Sequence, residues 1–179
     1  MAIESEGKTL LLLNDSKYGY SFRDGHLGVS LLRSPFYPDP FADRGKNIFS
    51  FSYGLTSSRD PIFYIKMGFK FNVNPVQVRS SNTIKRHLLA ENAVIGALKA
   101  SEEGTFRIVR IYNPTGSNKK FRIELPFEVS NLVETDLLEN PLTSPSSEGI
   151  KQYGSTIEGD ISAYEIKSLR LTEESSKKQ

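Results

Sequence analysis

The chain has 179 residues, 37% hydrophobic and 25% charged, with 23 Lys plus Arg against 21 Asp plus Glu and a formal charge of only +2. That composition belongs to a globular chain, and the interspersed charges offer no basic stripe for nucleic acid. Cys is absent, which excludes disulfide scaffolds, thiolate zinc sites and thiol nucleophiles, and leaves His26 and His87 as the only imidazoles.

At the N-terminus, the acidic stretch Ile3-Glu4-Ser5-Glu6 is no signal peptide. The longest apolar run, Leu10 to Leu13, falls far short of the ~20 residues of a membrane helix, so the expectation is a cytoplasmic chain with no membrane partner. Between Tyr18 and Leu32, two strand-like stretches flank Asp24-Gly25, a dipeptide suited to the positive φ angles of a hairpin turn. Phe49, Phe51 and Tyr53 alternate with Ser50 and Ser52, which predicts a half-buried strand. From Phe63 to Val73 every odd position is apolar, which predicts a long strand with one buried face. Asn74-Pro75-Val76-Gln77-Val78 closes it, and the polar stretch Arg79 to Arg86 places a domain boundary near residues 80–86. Ile84, Leu88 and Leu89, behind Asn82 and Thr83, support two helical turns at most.

Further on, Glu102-Glu103-Gly104 turns a hairpin over Ala97 to Tyr112, and Asn113-Pro114-Thr115-Gly116 turns another over Tyr112 to Leu125. Phe121, Ile123 and Leu125 share a buried face, with Arg122 and Glu124 turned away. Leu142 to Gly149 is a long turn inside the second domain. Tyr164 and Ile166 keep one phase and Leu169 and Leu171 the other, which predicts a bulge at Lys167-Ser168. The chain after Thr172 is a polar tail. Consecutive antiparallel strands with short turns make the class all-β, an antiparallel β-sandwich.

Two segments are more specific than composition. The first is Leu11-Leu12-Leu13-Asn14-Asp15-Ser16-Lys17-Tyr18-Gly19-Tyr20, then Ser30-Leu31-Leu32-Arg33-Ser34-Pro35, Pro38-Asp39-Pro40, Ala42-Asp43 and Gly45. This spacing resembles the C-terminal β-region of glycoside hydrolase family 38, the α-mannosidases. The second segment agrees in order: Ala97-Leu98-Lys99-Ala100, Glu103-Gly104, Ile108-Val109-Arg110-Ile111-Tyr112-Asn113 and Thr115-Gly116. The closing stretch Tyr164 to Leu171 resembles that family's last strand, and the likeness runs from about Ser5 to Leu171. Where the family usually carries a His after its Ala-Asp-x-Gly element and a Pro-His pair after the next strand, this chain has Asn47 and Thr56-Ser57-Ser58. The roles of those histidines are therefore not carried over.

The resemblance implies residues 1–82 as the latter half of a large galactose-mutarotase-like sandwich, 83–172 as a smaller immunoglobulin-like sandwich, and 173–179 as the tail. It also implies a non-catalytic role. A retaining glycosidase needs two carboxyl groups about 5 Å apart, and the family keeps these, with its zinc, in an N-terminal catalytic half. The expected partners are that half, as the same gene product or a separate chain, mannosides, and further copies in an oligomer. If the rest of the first sandwich lies elsewhere, a large apolar surface is left uncovered.

Candidate pocket or interdomain residues are Asn14, Asp15, Lys17 and Tyr18, which follow a buried strand end with amides, a carboxylate and an aromatic face suited to a sugar. The bland alternative is a turn with Asp15 and Lys17 paired and Tyr18 bridging sheets. Arg33 suits bidentate capture of a carboxylate. Asp39 and Asp43, four residues apart in a Pro-rich loop, allow an acid/base pair, or else they cap turns or pair with Arg33 and Arg44. No catalytic residue and no metal ligand is assigned to this chain. The competing expectation is a free-standing carbohydrate-binding or interaction module, which needs exposed aromatics; with no Trp and most Phe on alternating faces, such a surface is hard to find.

Overall fold

The computed structural model describes residues 1–77, 79, 87–143 and 149–174. The all-β class holds: antiparallel strands dominate, with one short helix. Contacts divide the chain into Met1–Gln77 and Val78–Gln179. The boundary stretch expected at residues 80–86, which includes Ile84 of the short helical segment, lies outside the described residues; Leu89 opens a strand.

In the first unit, β1 (Ala2–Ser5), β2 (Lys8–Asn14) and β5 (Phe51–Thr56) form a sheet in the order β1-β2-β5. β3 (Tyr20–Arg23) and β4 (His26–Val29) make the expected hairpin, with Asp24 at φ 51° and Gly25 at φ 78°. This positive-φ pair matches the twist of the two strands.

The long strand expected over Phe63 to Val73 is α1 (Pro61–Asn72). Asp60 caps it by accepting from the Ile62 N–H at 3.0 Å, and Pro61 sits in the first turn, where no N–H is missed. The Val73 N–H closes the far end on the Phe69 carbonyl. The segment is apolar nearly all round, so it satisfies a period of two as readily as 3.6. Its two charges, Lys66 and Lys70, are spaced four apart and fit either reading. The Asp60-Pro61 start was the signal that separates them.

α1 covers one face of the sheet, with Ile62 buried and Phe63 and Met67 facing Leu11 and Leu13 across a shallow groove. It is pinned to β2 near both ends. The Tyr64 hydroxyl donates to the Ser58 carbonyl and lies 3.1 Å from Thr9 Oγ1, while Asn72 Nδ2 donates to the Asn14 carbonyl at 3.2 Å. β5 is a strand as expected, but not a half-buried one: Tyr53 and Leu55 are 81% and 71% exposed.

The second unit is a sandwich of two four-stranded antiparallel sheets. One has the order β10 (Val129–Thr135), β13 (Ile166–Glu173), β8 (Arg107–Tyr112), β7 (Val94–Ala100). The other has β11 (Lys151–Tyr153), β12 (Thr156–Ile161), β9 (Lys119–Glu124), β6 (Leu89–Glu91). Val109, Ile111, Phe121, Ile123, Leu125, Ile157, Leu169 and Leu171 fill the space between. Gly159 sits opposite Phe121, where a Cβ would meet the ring at 3.0 Å, so a larger residue would collide with the core.

β7 and β8 form the expected hairpin, but β8 and β9 do not: they belong to opposite sheets, and Asn113 turns the chain across the sandwich. Its buried side chain is fully used. Nδ2 donates to the Ser117 and Ser162 carbonyls, and Oδ1 accepts from the Thr115 N–H and hydroxyl, at 2.7–3.0 Å. The bulge expected at Lys167-Ser168 is absent, since β13 pairs in unbroken register with β8. Lys167 simply keeps the inward phase of Leu169 and Leu171. It is 3% exposed, and its ammonium is neutralised by Glu134 at 3.2 Å and Glu165 at 2.8 Å. Burial pushes the Glu165 carboxyl up, but Lys167 and the Ser162 N–H outweigh it and hold it below the usual range. The two sheet irregularities lie elsewhere, between Ile95 and Ala97 and between Val129 and Asn131.

Removing the Asn113 side chain strands buried carbonyls and an N–H, each costing about 1–3 kcal/mol. Asn113→Ala is therefore expected to lower the second unit's urea stability by about 3 kcal/mol or more. A change below about 0.5 kcal/mol, within the range of neutral surface substitutions, would show that the crossover does not depend on it.

Candidate functional site

The candidate residues of the first unit gather in two loops, 14–18 and 33–50. At the end of β2, Asn14 Oδ1 accepts from the N–H groups of Ser16 and Lys17, and its Nδ2 donates to the Tyr20 hydroxyl. This ties the turn to both the strand and the hairpin. Asp15 and Lys17 are not paired with each other. The Ser50 and Ser16 hydroxyls hold the Asp15 carboxyl below the usual range, and the Lys17 ammonium sits 4.5 Å from the centre of the Phe49 ring. Tyr18 is 91% exposed and bridges nothing.

Asp43 anchors the second loop. One carboxylate oxygen accepts from the Ser34 N–H at 2.9 Å and the Arg33 N–H at 3.2 Å. These two N–H groups lower its pKa most, in that order, and the Lys17 charge adds a smaller pull. Lys17 therefore links the two loops. Asn47 donates to the Asp43 and Gly45 carbonyls. Asp43 takes the backbone of Arg33 and not its guanidinium.

Asp39 accepts from the Phe41 N–H at 2.8 Å, and the Arg44 guanidinium lies 4.8 Å from the centre of the Phe41 ring. Asp39 and Asp43 thus each give one carboxylate oxygen to backbone donors, as turn caps do.

Sequence reasoning missed the aromatics. Phe36, Tyr37 and Phe41 stand exposed on this same loop, at 84%, 88% and 67%, beside the polar candidates. The expectation that exposed aromatics are scarce is corrected. The signal was available: Phe36-Tyr37-Pro38-Asp39-Pro40-Phe41 has three rings without strand alternation, and its prolines exclude a central strand. Exposed rings beside an amide, carboxylates and guanidiniums are the groups that stack on and hydrogen-bond sugar rings.

The imidazoles do not make a metal centre. His26 and His87 are both exposed and belong to different units, and no group of three or more His, Cys, Asp or Glu among the described residues can hold a metal. The described residues do not fit a zinc site. Among the described residues, no helix is long and apolar enough to cross a membrane.

Residues 1–41 match the family described as "Glycosyl hydrolases family 38 C-terminal domain", and residues 92–169 match "Glycosyl hydrolases family 38 C-terminal beta sandwich domain". The chain belongs to the C-terminal region of glycoside hydrolase family 38. It is 33% identical over 175 residues to alpha-mannosidase G of Dictyostelium discoideum, covering 90% of this chain and 16% of that protein. It is also 29% identical over 153 residues to human alpha-mannosidase 2C1, covering 79% of this chain and 14% of that protein. The chain spans about one sixth of the length of these relatives or less. The second family match covers most of the described sandwich, and the first covers β1 to β4 together with Arg33, Asp39 and Phe41.

The lowered Asp43 pKa gives a signed prediction. A carboxyl with a depressed folded pKa contributes order above its ordinary range and loses it as pH falls through the folded value. The Ser34 amide resonance is expected to shift at a pH below the usual aspartate range in the wild type, and to show no such titration in Asp43→Asn. A Ser34 amide insensitive to pH in both proteins would contradict the anchor.

Proposed function

We propose that this chain is the non-catalytic C-terminal part of an α-mannosidase, acting in mannose metabolism on terminal α-mannosides that a separate catalytic part hydrolyses. The observation that carries it is the pairing of two family-38 C-terminal matches with a loop site whose carboxylates are tied to backbone donors. Retaining hydrolysis needs a free nucleophile and a free acid facing one glycosidic bond. Asp39 and Asp43 supply neither.

In this reading the first unit contributes half of a larger sandwich and presents the loops 14–18 and 33–50 to the catalytic part, with the second unit as an immunoglobulin-like brace. Asn14, Asp15, Lys17, Tyr18, Arg33, Asp39, Asp43 and Arg44 then wall one side of a mannoside pocket or its domain interface. The two relatives are named as alpha-mannosidases, which supports the substrate class. Zinc and the reacting carboxylates belong to the catalytic part, and the cysteine-free composition suits a reducing cytoplasm.

A second reading is favoured by one observation, the exposed rings Tyr18, Phe36, Tyr37 and Phe41. A free-standing carbohydrate-binding module would use them as stacking platforms, and would bind a mannoside without a partner.

The experiment is direct. The isolated chain, given zinc and an aryl α-mannoside, is expected to show no turnover and no saturable mannoside binding by titration calorimetry. Turnover abolished by Asp39→Asn would overturn the non-catalytic assignment. Saturable binding lost in Tyr37→Ala would favour the free-standing module.

A further inference from the structure

In the second unit, the outer face of the β10-β13-β8-β7 sheet is partly roofed by the chain itself. Residues 136–142 leave β10 and fold back on it: Pro141 bridges to Thr135, and the Leu142 N–H donates to the Glu134 carbonyl at 3.1 Å. Asp136 shapes this strap by accepting from the Leu138 and Asn140 N–H groups. The Leu137 carbonyl accepts from Arg110 Nη2 of β8 at 3.1 Å, while Glu139 pairs with Lys99 of β7 at 2.5 Å and accepts from the Glu102 N–H at 2.8 Å. A segment tied to β10, β8 and β7 passes over β13, which lies between β10 and β8.

Beneath the strap lies one row of the sheet. Thr135, Ser168 and Arg110 pair directly across β10, β13 and β8, so their side chains share the outer face, away from Leu169 and Leu171 in the core. Ser168 is 2% exposed although nothing of the sandwich core lies on its side. Two donors in this row are left over: among the described residues no protein group bonds to Arg110 Nε or to Ser168 Oγ, and both atoms are buried. The Arg110 charge is left over as well, since among the described residues it makes no ion pair. Glu139 is committed elsewhere. Lys99 and the Glu102 N–H hold its carboxyl below the usual range, and Arg110 exerts the smallest pull.

We propose that Arg110 and Ser168 form a binding site for one small monovalent anion of chloride size, closed over by the 136–142 strap. Buried donors are nearly always satisfied, and a guanidinium is best satisfied by a charged acceptor. Arg110 Nε supplies the charge and one N–H, and the Ser168 hydroxyl supplies the second donor. The uncompensated charge selects an anion over a neutral ligand, because a half-buried guanidinium without a counter-charge is costly. The near-complete burial of Ser168 selects a small one: the strap leaves no path for a sugar or a phosphate ester to reach its hydroxyl. Once bound, the anion ties β8 to β13 under the strap, independently of the role proposed for the first unit.

The test titrates the full chain with sodium chloride exchanged for sodium gluconate at constant ionic strength, gluconate being too large for the closed site. The Arg110 Nε–H and Ser168 amide resonances are expected to shift saturably with chloride. In Arg110→Met, which keeps the apolar stem and removes the charge, the Ser168 amide is expected to stay still. Ser168→Ala is expected to move the Arg110 Nε–H titration to about tenfold higher chloride, the worth of one hydrogen bond to a charged group. A crystal grown in sodium bromide is expected to show an anomalous peak within hydrogen-bonding distance of Arg110 Nε. Resonances indifferent to chloride, with an ordered water at that position, would overturn the anion site. A Ser168 shift that persists unchanged in Arg110→Met would overturn it too. If Arg110→Met does not fold by circular dichroism, the Ser168→Ala titration and the bromide peak decide the question.

Discussion

Leu10, Leu11, Leu12 and Leu13 place apolar side chains on both sides of a single strand, and the first unit is organised around covering them. The near side is settled within the unit. α1 lies on Leu11 and Leu13, capped by Asp60 and pinned to β2 through Tyr64 near its start and Asn72 at its end. The Asn72 bond matters for the site, because it fixes the carbonyl of the residue whose side chain folds the 14–18 turn. Helix, strand and candidate loop are therefore one mechanical chain. The far side is only partly settled, and burying a leucine-sized side chain contributes roughly 1.5–3 kcal/mol, so an uncovered Tyr53 and Leu55 represent stabilisation that a second layer can supply.

The second unit resolves the same problem internally. Its two sheets face each other across an apolar core, and its solvent faces are laddered with opposite charges. Among its buried polar side chains, Asn113 and Lys167 have their burial offset by partners. Asn113 satisfies the backbone where the chain passes from one sheet to the other, and Lys167 is held between two glutamates. Removing one partner of such a buried pair leaves an uncompensated charge, and Lys167 pairs with Ile111 of β8 while its ammonium reaches Glu134 of β10.

Much of this was legible in the residues. Asp24-Gly25 announced its hairpin, Glu102-Glu103-Gly104 another, and the alternation of Phe121, Ile123 and Leu125 marked a core face that is fully buried. What was misread has physical causes. Phe63 to Val73 fits two periods because it is apolar nearly all round, so the Asp60-Pro61 cap is what distinguishes helix from strand. The turn at Asn113 looks local, yet the sheet that receives β9 is chosen by pairing with β12, some forty residues later. Lys167 broke the hydrophobic phase in the sequence because a buried lysine is readable only once its glutamates are in place. At the candidate site, Asp39 and Asp43 lie in a loop, and their donors are main-chain groups, which a sequence does not display.

The central claim, as proposed above, is that the first unit presents its loops 14–18 and 33–50 to the catalytic part of an α-mannosidase. Hydroxyl-radical footprinting of the exposed Tyr18 and Tyr37 tests it most directly, comparing the isolated chain with the chain assembled on the remainder of a family-38 α-mannosidase. The account predicts heavy labelling of both side chains in isolation and strong protection on assembly. Equal labelling in an assembly shown to have formed would contradict it.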